Sequence, residues 1–197
     1  MIWLRGANME TRDTVFIALF AAIMAALAVF PPITLPVVGV PITAQSLGAM
    51  LAGGVLGATR GGLSIILFLL LVAIGLPLLP GGRGGFGVFL GPTGGYLIGW
   101  IFTAFVVGFL VERFWHQLSY INAFLASVAG GIVVLYAIGI PWSAFVAQIS
   151  VWAAFVGSLP FFIGDIVKCL IAAAVIVIVK KSYPIITPRK RQAATTE

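Results

Sequence analysis

Charge is what this sequence has least of. Only 8% of its 197 residues are Asp, Glu, Lys or Arg, where a water-soluble domain carries about a quarter. With 61% hydrophobic residues and a mean hydropathy of +1.19, the composition excludes an ordinary soluble domain and defines an integral membrane protein. Reactive side chains are as scarce. One cysteine, Cys169, rules out an intramolecular disulfide and a cysteine metal cluster. One histidine, His116, rules out an H-E-x-x-H site, and it stands in a polar turn with no other metal ligand near it in sequence. No paired-carboxylate pattern is present, and no lysine follows a glycine, so there is no Walker A loop. The chain therefore reads as no enzyme and calls for no cofactor or metal. Any ATPase that drives it is another chain.

The apolar residues form continuous runs, which fit helices and not the alternation of a β-barrel. The expected fold is all-α: a single membrane domain over residues 1–197, a six-transmembrane-helix bundle with spans at about 14–30, 45–58, 62–79, 93–111, 120–140 and 159–180. Its first apolar run carries no small-residue cleavage pattern and is read as a retained span. Pro141 is taken as a break, and residues 142–158, with Trp142, Gln148 and Trp152, as an interfacial or lid piece outside the spans. The net charge is +6, but its distribution points to topology and not to nucleic acid. Six spans put Arg5, Arg12, Arg60, Arg113, Lys180, Lys181, Arg189, Lys190 and Arg191 on one side, nine of the eleven basic residues. By the positive-inside rule both termini are then cytoplasmic.

Two charges break the apolar pattern. In Gly164-Asp165-Ile166-Val167-Lys168, an acid and a base stand three residues apart on one helix face, inside the last apolar run. A charge at membrane depth costs roughly 2.5–3.5 kcal/mol on insertion scales and commonly marks a ligand or ion pathway. The alternative is a neutralised pair that only helps helices pack. A second feature is the glycine loop Gly81-Gly82-Arg83-Gly84-Gly85-Phe86-Gly87, running on to Phe89-Leu90-Gly91-Pro92-Thr93-Gly94-Gly95-Tyr96. Glycines there let backbone approach a ligand closely, and the loop adds one cation and three rings. Gln45 is a lone amide at the end of an uncharged, apolar loop, 31–44, that reads as a cover over the bundle. Asp165, Lys168, Arg83, Gln45 and Tyr96 are expected to converge on one outward-facing pocket. It suits a small, partly apolar molecule with polar groups at both ends. In the first span Ala18, Ala22 and Ala26 recur at fourfold spacing, which fits either tight packing within the bundle or docking of a separate membrane protein.

The glycine loop through Gly94-Gly95-Tyr96, together with Gly164-Asp165-x-x-Lys168, resembles the BioY family, and the likeness spans nearly the whole chain. These are biotin-binding S components of energy-coupling factor (ECF) transporters. The resemblance implies a six-helix bundle in a prokaryotic cell membrane that binds biotin near the outer surface. Its implied partners are a transmembrane T component and two ABC-type ATPases, or further copies of itself. It implies substrate contacts at Asp165, Lys168 and Arg83, and docking of the T component on Ala18, Ala22 and Ala26; the reading of the residues adds Gln45, Gly84, Gly85, Phe89 and Tyr96 to the expected substrate site. A proton-coupled secondary transporter, or an S component for another vitamin, is the alternative.

Overall fold

The computed structural model describes residues 10–30, 33–34 and 41–186. Helix α1 (Thr11–Ala26) continues into a 3-10 turn at Leu27–Val29. A two-residue antiparallel pairing of β1 (Ile33–Thr34) with β2 (Pro41–Ile42) follows. Then come α2 (Gln45–Leu56), α3 (Ala58–Ala73), the single turn α4 (Gly87–Leu90) and α5 (Gly94–Arg113). Helices α6 (Tyr120–Val128) and α7 (Leu135–Ala147) are joined by a π-helical turn, Ala129–Val134, and α8 (Val151–Ser182) closes the chain. The proposed cover over 31–44 lies mostly outside the described residues.

The architecture is helical, as the composition requires, with three differences from the sequence reading. First, four of the described helical runs are long and apolar enough to span on their own: Thr11–Val29, Gly94–Arg113, Tyr120–Ala147 and Val151–Ser182. Helices α2 and α3 have 12 and 16 residues, or about 18 and 24 Å at 1.5 Å per residue, short of the ~30 Å hydrocarbon thickness. They pack as an antiparallel pair, Gln45 at the start of α2 donating to the carbonyl of Leu78 beyond the end of α3. Secondly, Pro141 does not break the helix but sits inside α7, and Pro160 sits inside α8. Thirdly, no separate lid piece spans 142–158. Trp142 belongs to α7 and Trp152 to α8, and the chain turns between them at Gln148, whose φ of 54° is left-handed. Ser150 caps α8 by accepting from Ala153 N at 3.1 Å.

The bundle packs backbone against backbone where side chains are smallest. A Cβ on Gly53 would strike the carbonyl of Ala104, and one on Gly108 the backbone of Gly57 and Ala58, so α5 lies directly against the α2–α3 pair. At the turn between α2 and α3, Gly57 takes φ +90° and carries its own hydrogens against the Glu112 carboxylate. Glu112 Oε1 accepts from Ala58 N at 2.9 Å, which satisfies an orphan donor and sets an anion at the helix N-terminus. Buried hydroxyls are absorbed in the same way, Ser64 donating to the carbonyl of Ile17 and Thr103 to that of Gly130.

These contacts give the bundle two chemically distinct ends. One holds Arg60 paired with Asp13 at 3.1 Å, Arg12 donating to the Tyr183 hydroxyl, and Lys180 over the ring of Trp115. The other collects the ends of α1 and α3, the starts of α2 and α5, and the glycine loop.

Candidate functional site

The site grows from α8. Its helical spacing brings Lys168 Nζ to 2.7 Å from Asp165 Oδ1, with both groups largely buried. The pair is not left to itself. Ser46, on the first turn of α2, accepts from Lys168 Nζ at 3.0 Å and donates to Asp165 Oδ1 at 3.4 Å. From α7, the Tyr136 hydroxyl donates to Asp165 Oδ2. Three helices thus meet on one carboxylate. A buried carboxylate with one cation and two hydroxyl donors is held as an oriented acceptor. An ionised carboxyl offers about four lone-pair sites, so with three donors in place about one remains for a ligand N–H.

Gln45 adjoins this cluster and is fully buried. Its Nε2 donates to the carbonyls of Met24 and Leu78, each at 2.9 Å, tying α1 to the segment after α3. Its Oε1 has no partner among the described residues, so one buried acceptor stands unspent. Buried acceptors are normally satisfied, which makes a donor on a ligand its natural complement. Tyr96, at the start of α5, meets Tyr136 edge-on with centroids 6.1 Å apart, and its hydroxyl lies 3.4 Å from that of Ser158.

The glycine loop is a built structure. Leu79 and Arg83 exchange backbone hydrogen bonds, and Gly85 N donates to the carbonyl of Val72 at 2.8 Å. Gly81, Gly82 and Gly85 all have φ between +71° and +86°, and a Cβ on Gly84 would strike the carbonyl of Leu76. Two residues of α7 clamp the far end of the loop. Trp142 Nε1 donates to the carbonyl of Gly91 at 3.0 Å and Ser143 Oγ to that of Pro92 at 2.8 Å. Trp142 therefore anchors this loop and does not belong to a lid. Arg83 is exposed, with its Nε on the carbonyl of Pro80 and no ion pair among the described residues. Phe89, half-buried on α4, packs against exposed Phe86 with centroids 6.1 Å apart. The structure thus joins Asp165 and Lys168 directly, brings Tyr96 against their partner Tyr136, ties Gln45 to Met24 and Leu78 one residue before Ser46, and leaves Arg83, Gly84, Gly85 and Phe89 on the loop at the same end.

Sequence reasoning missed Ser46 and Tyr136. Tyr136 carried no signal, being one aromatic within an apolar span. Ser46, next to Gln45 at the first polar step after an apolar loop, had a faint one. Of the first-span alanines, Ala18, Ala22 and Ala26 face outward, whereas Ala21 is buried against the bundle.

A helical membrane bundle with one oriented acid–base cluster, and a built glycine loop at the same end, is the architecture of a substrate-recognising membrane subunit. The chain belongs to the BioY family, whose model matches residues 5–185. It is 52% identical over 186 residues to the biotin transporter BioY of Rhizobium etli, covering 92% of this chain and 100% of that protein. It is 48% identical over 173 residues to the biotin transporter BioY of Rhodobacter capsulatus, covering 83% and 90%. Its fold matches the 2.1 Å crystal structure of the S-component for biotin from an ECF-type ABC transporter with a TM-score of 0.85. The two chains are 31% identical there, over 92% of this chain and 97% of that one. The family resemblance read from the two motifs is therefore correct.

Proposed function

We propose that this chain is the biotin-binding subunit of a prokaryotic uptake system, a multi-pass protein of the cell membrane acting as the S component of an ECF-type transporter. The observation that carries the reading is the Asp165 carboxylate, held by Lys168, Ser46 and Tyr136 at the glycine-loop end of a BioY-family bundle. Biotin's cyclic urea offers two N–H donors and one carbonyl, and its valerate tail ends in a carboxylate. Asp165 accepts from a urea N–H, the unspent Gln45 Oε1 is available as a second acceptor, and Lys168 meets the urea carbonyl. Arg83, exposed on the loop, suits the tail carboxylate. The rings of Tyr96 and Phe89 and the backbone of Gly84 and Gly85 wall the apolar bicycle.

Energy comes from partner chains, a T component and two ABC-type ATPases, in keeping with a sequence that has no phosphate-binding loop. The outward faces of Ala18, Ala22 and Ala26 fit docking of such a partner, or of a second copy, better than packing within the bundle.

The test is calorimetric titration of purified protein with biotin beside Asp165→Asn. A charge-assisted hydrogen bond contributes ~1.5–3 kcal/mol, so the variant should lose affinity by about a hundredfold. Wild-type affinity in Asp165→Asn would remove Asp165 from the site. Tight binding of another vitamin, with none of biotin, would keep the architecture and overturn the substrate. Uptake into vesicles on a proton gradient, without partner chains, would favour secondary transport.

A further inference from the structure

We infer that Tyr136 is a positioning residue of the ligand site, fixing the plane of the Asp165 carboxylate so that its remaining lone pair meets a ligand's N–H donor. The inference rests on the reading of Asp165 as a ligand acceptor.

The two carboxylate oxygens have different partners. Lys168 and Ser46 meet Oδ1, whereas among the described residues Tyr136 alone meets Oδ2. Lys168 lies on the same helix as Asp165 and would follow it through a change of rotamer. Tyr136 comes from another helix, 29 residues earlier in the chain, and sets the second point that defines a plane. Its ring has little freedom, being edge-on to Tyr96 at 86° and against Phe162 with centroids 4.9 Å apart. Its far side borders an apolar groove whose side chains, Val133, Ile140, Pro141, Trp152 and Phe155, offer the hydroxyl no acceptor.

The π-helical turn Ala129–Val134 explains how Tyr136 comes to face Asp165. Such a turn inserts one residue into a helix, so Tyr136 takes the direction that position 135 would have in an unbroken one, about 100° around the axis. The turn is locked from outside. Thr103 Oγ1 donates to the carbonyl of Gly130 at 2.9 Å. A Cβ on Gly130 would strike Val107, and one on Gly131 would strike Met50. π-turns recur at functional sites, and this one ends two residues before the hydroxyl in question.

The experiment compares wild type, Tyr136→Phe, Asp165→Asn and the double variant. Equilibrium binding of radiolabelled biotin is read beside the infrared carboxylate stretch of Asp165, identified by its disappearance in Asp165→Asn. Tyr136→Phe keeps the ring and removes one hydrogen bond to an anion, so affinity should fall about ten- to hundredfold. The stretch should shift, and adding Tyr136→Phe to Asp165→Asn should cost no more than about twofold. Wild-type affinity in Tyr136→Phe, with loss in Asp165→Asn, overturns this inference and leaves the proposed site intact. Loss of affinity with an unmoved stretch also overturns it, because the hydroxyl then acts on packing alone. Wild-type affinity in Asp165→Asn overturns the site reading, and this inference with it.

Discussion

Removing Lys168 while keeping its shape tests whether the acid–base pair holds the helices together as well as serving the ligand. In Lys168→Met the Asp165 carboxylate stays buried, 6% exposed at its side chain, with Ser46 and Tyr136 as its remaining donors. Breaking a buried ion pair from one side costs about 3–5 kcal/mol, because the other charge stays in place without its partner. Two surviving donors favour the lower figure, about 3 kcal/mol. For a chain of this size each kcal/mol moves the melting temperature by ~2–4 °C, so the expected drop is about 6–12 °C by thermal unfolding in detergent. Adding Asp165→Leu removes the stranded charge and should recover most of that loss, since an apolar pair often replaces a buried ion pair at no cost. What remains are the hydroxyls of Ser46 and Tyr136, both now without their Asp165 acceptor. Adding Tyr136→Phe and Ser46→Ala should return the melting temperature to that of the wild type, in a protein that binds no biotin. An unchanged melting temperature in Lys168→Met would refute the argument. A double variant no more stable than the single would show that the loss comes from packing and not from charge.

The fold was legible because the membrane imposes it. Where water cannot satisfy backbone groups, long apolar runs must be helices, and clustering of basic residues around Arg60, Arg113 and Lys180 marked one end. What the sequence hid was where helices stop. Pro141 looks like a break, since proline loses a donor and clashes with the preceding turn. Yet in α7 the turn around Pro141 is braced by Trp142 and Ser143 on the glycine loop, and the helix runs on. The true boundary had a quieter signal in Ser150, whose side chain caps α8. The candidate site divides in the same way. Asp165 and Lys168 were conspicuous because a charge in an apolar run needs a reason. Ser46 and Tyr136 are ordinary in membrane helices, and their meaning arises only when residues 119 and 29 positions away meet them. The π-turn that aims Tyr136 showed only as two adjacent glycines, Gly130 and Gly131.

Two further outcomes test the parts of the bundle outside the pocket. Gly57→Ala should destabilise the protein by about 1–3 kcal/mol, because position 57 has φ +90° and an added Cβ would meet the Glu112 carboxylate. Biotin affinity should stay near the wild-type value, since this turn lies at the opposite end from Asp165; thermal unfolding beside titration checks both. Ala18→Trp and Ala22→Trp should impair uptake in cells and spare binding by the purified protein. Both alanines face outward on α1, so a tryptophan there meets lipid in the isolated subunit and obstructs the close helix approach that a docked partner needs. Ala21→Trp is the internal contrast. That residue is buried against the bundle, and overpacking it should lower stability and binding together by disturbing the core. Equal damage from all three substitutions would mean that the stripe is only part of the bundle's own packing. Uptake unaffected by Ala18→Trp and Ala22→Trp would move the docking surface elsewhere.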